Sequence, residues 1–134
     1  MRDEFRFTVI TISLILIDQF SKLLVLKYFS QFATINPSGG FSIAFKGVNF
    51  ALITILALIV FVMVLSFLDK KALKTSAFYL VLAGTFSNLL DRIMHPGVVD
   101  FINFKIWPSF NFADICITIG VALLILREFQ VKRS

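Results

Sequence analysis

Apolar residues gather into four long runs, at roughly residues 7–29, 49–68, 75–92 and 112–126. Each is read as a membrane-spanning helix, since a bilayer core takes about 20 mostly apolar residues to cross. The first run is interrupted by Asp18 and Lys22, the second holds no charge, and the third closes at Asp91-Arg92. The two longer links carry patterns of their own. QFATINPSGGFSIAF sets β-type residues on both sides of an Asn-Pro-Ser-Gly-Gly turn, which predicts a hairpin or a partly extended flap. VVDFINFKIWPSF is apolar and aromatic and holds the single Trp, a composition suited to the membrane–water interface. There is no internal repeat and no low-complexity segment.

Composition agrees with the pattern. The 134 residues are 58% hydrophobic, with mean hydropathy +0.91, against about 45–50% apolar for soluble domains. The expectation is one domain over residues 1–134: an all-α membrane protein of four transmembrane helices, with a small extracytoplasmic β-hairpin or cradle and an interfacial segment. The formal charge of +5 is split among short segments, with no basic stripe, so no nucleic-acid partner is expected. Basic residues cluster at the N-terminus (Arg2, Arg6), in the DKKALK link and in the C-terminal tail (Arg127, Lys132, Arg133). Positive-inside bias then puts both termini in the cytoplasm and the two longer links on the opposite side. Charges in the centre of the first run, and the lack of a small-residue cleavage site, argue that it is kept as a span. Cys116 is the lone cysteine, which excludes an intrachain disulfide and reads as a small buried hydrophobe. Nothing resembles a zinc site, a nucleophilic Ser with a His base, or a phosphate loop.

The polar residues within and beside the runs carry the chemistry. Asp18 and Lys22 share one helix face, with the acid N-terminal to the base. Each costs about 2.5–3.5 kcal/mol at a helix centre on insertion scales, so both must face the bundle interior. A structural ion pair and direct substrate contact stand as equal readings. Gly84, Asn88 and Arg92 form one stripe along the third run. Gly84 is read first as a helix-packing residue and Asp91 as the partner of a nearby cation. Arg92 is an interface anchor or, with Asn88, a donor to a bound peptide. Asp100 and Asp114 flank the last link, with Asn111 about one turn before Asp114. If that link folds back, the two acids meet at the outer edge. Low dielectric and like charge would then leave one proton between them, the arrangement that activates water with one acid as base and the other as acid. The separate alternatives are a solvated loop acid at Asp100 and a helix-N-terminal charge at Asp114. Asn36 and His95 read as turn residues.

Taken together, the motifs resemble those of the lipoprotein signal peptidase (signal peptidase II) family, membrane aspartic peptidases of bacteria. The matching pieces are Asp18-Gln-Phe-Ser-Lys22, Asn36-Pro-Ser-Gly-Gly-Phe-Ser42, Gly84-Thr-Phe-Ser-Asn88-Leu-Leu-Asp91-Arg92, Val98-Val-Asp100-Phe-Ile-Asn-Phe104 and Phe110-Asn111-Phe-Ala-Asp114. They fall in the family's order and cover nearly the whole chain. The resemblance implies a catalytic dyad of Asp100 and Asp114, a site shaped by Asn36, Asn88, Arg92 and Asn111, and support from Asp18 and Lys22. It implies cleavage of diacylglyceryl-modified prolipoproteins just before the lipidated cysteine, at the outer face of the bacterial cytoplasmic membrane, with no cofactor. A monomer in contact with membrane lipid is expected. Two positions depart from the family pattern: Ser38 and Ser87 stand where glycine is usual, and both bear on the shape of the substrate groove. The chain is also short for the family, so trimmed outer segments are expected. Two other classes compete with the peptidase. One is a small four-span proton-coupled transporter using Asp18, which would have tight loops, and the other a non-catalytic relative of the peptidase.

Overall fold

The computed structural model describes residues 2–37, 75–106 and 108–131. The second apolar run, the DKKALK turn, Ser38, the second half of the expected hairpin, Trp107 and the last three residues lie outside the described residues. The described elements, in chain order, are α1 (Arg2–Tyr28), β1 (Thr34–Asn36), α2 (Ser76–Met94), β2 (Val98–Asp100) and α3 (Phe112–Val131).

α1 begins at Arg2 rather than near residue 7. Helical hydrogen bonding does not stop where apolarity stops, and Asp3 and Glu4 in the first turn suit the positive end of the helix dipole. Its span from Asp3 to Tyr28 is long and apolar enough to cross a membrane. Burial along α1 is inverted relative to a soluble protein. Leu16, Phe20 and Leu23 are each about 60% exposed, whereas Asp18 and Lys22 are 1% and 2% exposed. Apolar side chains outward and charges inward is the arrangement expected where hydrocarbon is the solvent.

Thr75 caps α2, its hydroxyl accepting the Phe78 N–H at 3.4 Å. Pro96 forces His95 into extended backbone, φ −131° and ψ 161°, and α2 closes at Met94. The buried positions Ala77, Val81, Gly84, Asn88 and Asp91 recur every three or four residues and form the face against α3 and the site. Ala83 and Ser87 are also buried, and Ser87 is bonded to α1. Phe7 of α1 stacks on Tyr79 of α2, with ring centroids 5.0 Å apart.

Two glycines set how closely α2 and α3 approach. A Cβ on Gly84 would strike the Ala113 carbonyl oxygen and stand 2.7 Å from Ile117 Cγ1. A Cβ on Gly120 would stand 2.6 Å from Val81 Cγ2 and 2.7 Å from the Ala77 carbonyl oxygen. Each helix thus presents a glycine to the other's backbone, which allows the close approach that small residues permit between packed helices.

β1 pairs antiparallel with β2, with Thr34 opposite Asp100 and Asn36 opposite Val98. The described half of the first long link is therefore extended, as its composition suggests, but its partner strand comes from the second long link. Beyond β2 the chain turns back. Phe110 N–H donates to the Ile102 carbonyl at 3.0 Å, and the Phe110 carbonyl accepts the N–H groups of Phe101 and Ile102 at 3.1 and 2.9 Å. This return is what brings Asn111 and the start of α3 beside Asp100.

Candidate active site

Asp114 is held by the way α3 begins. Asn111 precedes the first helical residue, its Oδ1 accepts the Asp114 N–H at 3.0 Å, and its own N–H donates to Asp114 Oδ2 at 3.2 Å. This reciprocal pair is a capping box built from Asn and Asp. The reading of Asp114 as a helix-N-terminal charge is thus satisfied, and the same geometry turns its carboxylate toward the site. Asn88 Nδ2 donates to Asp114 Oδ1 at 2.8 Å.

Asp100 arrives from β2 and is 3% exposed, which corrects the solvated-loop alternative. Asn36 Nδ2 donates to its Oδ2 at 3.1 Å and Asn111 Nδ2 to its Oδ1 at 2.8 Å. Asn36 is therefore more than a turn residue: it lies on the same sheet face as Asp100, one pleat along, and is buried. Burial pushes the Asp100 carboxyl up to about 6, and the charge on Asp114 adds to this, while the Asn36 and Asn111 amides and the Lys22 charge pull against it. Each of the four carboxylate oxygens of the pair receives one hydrogen bond from an amide. Asn111 serves both acids, through its side chain to Asp100 and its backbone to Asp114.

Behind the pair lies a second polar layer. Lys22 Nζ is 2.6 Å from Asp18 Oδ2 and 2.8 Å from Asp91 Oδ2, and it donates to Asn88 Oδ1 at 3.1 Å. Asp18 also accepts the Ser87 hydroxyl at 2.6 Å and the Ala113 N–H at 2.9 Å. Asp91 also accepts the Val99 N–H at 3.0 Å and Gln19 Nε2 at 2.8 Å. The fully buried charges of α1 and α2 thus hold the two segments that bear the acids: Asp18 caps the first turn of α3, and Asp91 holds β2. Asp91 pairs with a cation as its position suggested. Asp18 and Lys22 form a buried ion pair, and neither lines the cavity. Ser87 faces α1 rather than the groove. The expectation that it bears on groove shape is corrected, because position 87 lies a quarter-turn from Asn88 and so on a different helix face. Sequence reading passed over Gln19, Ser87 as a bonded residue, Gly120, and Gly97, where a Cβ would strike the Asn36 carbonyl. No spacing rule marks them, because their partners lie on other elements.

A cavity of about 610 Å³ opens beside the pair. Asp100, Asp114, Asn36, Asn88 and Arg92 line its polar wall, and Ile115 and Ile119 form part of its apolar wall along α3. Arg92 Nη1 donates to the Asn88 carbonyl at 3.1 Å. Gly84 stands apart, at the α2–α3 contact, in its packing role. Two carboxylates in one cavity, each hydrogen-bonded and one with its ionisation pushed toward neutral pH, form a site able to deprotonate water and deliver a proton.

Comparison with known proteins is consistent along the chain. The sequence model for signal peptidase (SPase) II matches residues 10–130. The lipoprotein signal peptidase of Borreliella afzelii (strain PKo) is 34% identical over 162 aligned positions, covering 99% of this chain and 95% of the relative. That of Halothermothrix orenii is 32% identical over 139 positions, covering 93% and 96%. Among solved structures, a bacterial membrane enzyme determined by the in meso method at 2.3 Å resolution superposes with a TM-score of 0.71 at 27% identity, covering 96% of this chain and 90% of its own. A second, at 1.9 Å resolution, gives 0.68 at the same identity. The match over nearly the full length, on the same mostly helical fold with its small sheet, makes this chain a protease of the signal peptidase II family.

Proposed function

We propose that the chain is an aspartic endopeptidase that removes signal peptides from diacylglyceryl-modified prolipoproteins, cleaving just before the lipidated cysteine, with Asp100 and Asp114 as its catalytic dyad. The observation that carries this reading is the pair itself: both acids line one cavity and are joined through Asn111. A water between them loses a proton to the ionised acid as its oxygen bonds to the scissile carbonyl carbon. The other acid gives its proton to the leaving amine as the carbon–nitrogen bond breaks. Arg92 and Asn88, on the same wall, orient the peptide backbone, and the apolar wall along α3 receives apolar substrate surface. The working unit is one domain over residues 1–134, of four spans with both termini cytoplasmic, acting as a monomer at the outer face of the bacterial cytoplasmic membrane.

The test is direct. Asp100→Asn and Asp114→Asn are expressed, their amounts are matched, and processing of a diacylglyceryl-modified precursor is followed by gel mobility. Each is expected to leave the precursor uncleaved, and full processing by either variant removes the dyad assignment.

A further inference from the structure

Lys22 is 2% exposed, lines no part of the cavity, and spends its three N–H groups on Asp18 Oδ2, Asp91 Oδ2 and Asn88 Oδ1. The third contact has a consequence for the acids. An ammonium donates and never accepts, so Asn88 must face Lys22 with its carbonyl oxygen. Its amide nitrogen then points the other way and donates to Asp114 Oδ1 at 2.8 Å. The same oxygen also takes a hydrogen bond from Asn111 Nδ2 at 3.1 Å, which obliges Asn111 to present its nitrogen there. The second proton on that nitrogen reaches Asp100 Oδ1 at 2.8 Å. What remains of Asn111, its oxygen, caps the Asp114 N–H.

We propose that Lys22 is a positioning residue: while the Asp114 N–H fixes Asn111 through its Oδ1, Lys22 holds the Asn88 side-chain amide with its oxygen inward and its nitrogen toward Asp114, so that both acids of the pair are met by N–H groups throughout the reaction. The acids alone do not hold that direction. A carboxyl group that has taken a proton from water is itself a donor, and an amide beside it gains by turning its oxygen inward. Lys22, outside the cavity and paired with two carboxylates, donates at every stage. This inference rests on the dyad reading above.

The experiment compares two charge-compensated variants, Lys22→Met/Asp91→Asn and Lys22→Gln/Asp91→Asn, with the parent enzyme on a diacylglyceryl-modified precursor. Both remove one positive and one negative charge. Glutamine retains an N–H for Asn88, whereas methionine fills the space without one. Thermal unfolding in detergent gives the folded fraction by which kcat is normalised. The methionine variant is expected to lose about 100-fold in kcat, with KM within about twofold, because Arg92 and the apolar wall along α3 still hold the substrate while the acids are misdirected. The glutamine variant is expected to stay within about tenfold of the parent. Equal kcat for the two variants overturns the proposal, since a purely structural role does not distinguish them. If the methionine variant does not fold, the glutamine variant decides alone: kcat within about tenfold of the parent supports the proposal, and a fall to the level of Asn88→Ala overturns it. Asp100→Asn and Asp114→Asn run in parallel. Should they process the precursor at full rate, the dyad reading itself fails, whereas inactive dyad variants beside equal methionine and glutamine variants remove only the role of Lys22.

Discussion

Replacing Asn111 separates two jobs that one residue performs. Its Oδ1 caps α3, and its Nδ2 donates to Asp100 and to Asn88. Asn111→Ala removes both. Losing an N-cap costs about 1 kcal/mol, and losing a hydrogen bond to a charged group costs about 1.5–3 kcal/mol. The residue is fully buried, so water does not replace the lost partners, and the expected destabilisation is about 3–4 kcal/mol. Asn111→Ser keeps an oxygen that caps the Asp114 N–H but has no reach to Asp100. It should recover about 1 kcal/mol of the stability and none of the activity. Both variants are expected to lose about 100-fold or more in kcat, the cost of removing one oriented donor from a catalytic group. Thermal unfolding in detergent micelles reports the first quantity and cleavage of a diacylglyceryl-modified precursor the second. A serine variant that regained the parent rate along with its stability would refute the reasoning. It would mean that Asn111 matters only as a helix cap and that its bond to Asp100 is incidental.

Three further outcomes follow from the geometry. Gly84→Ala should destabilise the fold by about 1–3 kcal/mol, because its Cβ meets the Ala113 backbone; activity should fall as well, since the shifted turn carries Asp114, and an unchanged unfolding midpoint would contradict the close approach. Asp100 ionises near 6 in the fold rather than 3.8, so the folded state binds this proton more tightly than the unfolded chain. Its contribution to stability is full below about pH 4 and is lost as pH rises through about 6, an effect of up to about 3 kcal/mol that Asp100→Asn should remove from the pH profile of thermal unfolding. Ser87→Ala should cost about 1–2 kcal/mol by taking a donor from the buried Asp18 while leaving KM unchanged, and a raised KM would return Ser87 to the groove wall.

Much of the site could be read along the chain because its pieces are local. Asn88 and Arg92 share a stripe through helical periodicity, and Asn111 and Asp114 have the spacing of a capping pair. The charged pair in an apolar helix had to face inward, since hydrocarbon offers no hydration, and α1 buries Asp18 and Lys22 accordingly. The membrane character of the chain and the pairing of Asp18 with Lys22 were therefore set by composition and by spacing within one helix. Tertiary structure decided what depends on partners far along the chain. β1 could not name β2 as its strand, because edge pairing is chosen by which segments arrive together. Gln19 and Ser87 carry no pattern until α1 and α2 pack. The nearness of Asp100 to Asp114 rests on the fold-back at Phe110 and on Asp18 and Asp91, which hold α3 and β2 to a common buried base. Residue types and helical periods are written in the sequence, but the Lys22 charge meets the Asn88 side chain, and Asn88 the Asp114 carboxylate, only where α1 packs against α2 and α3.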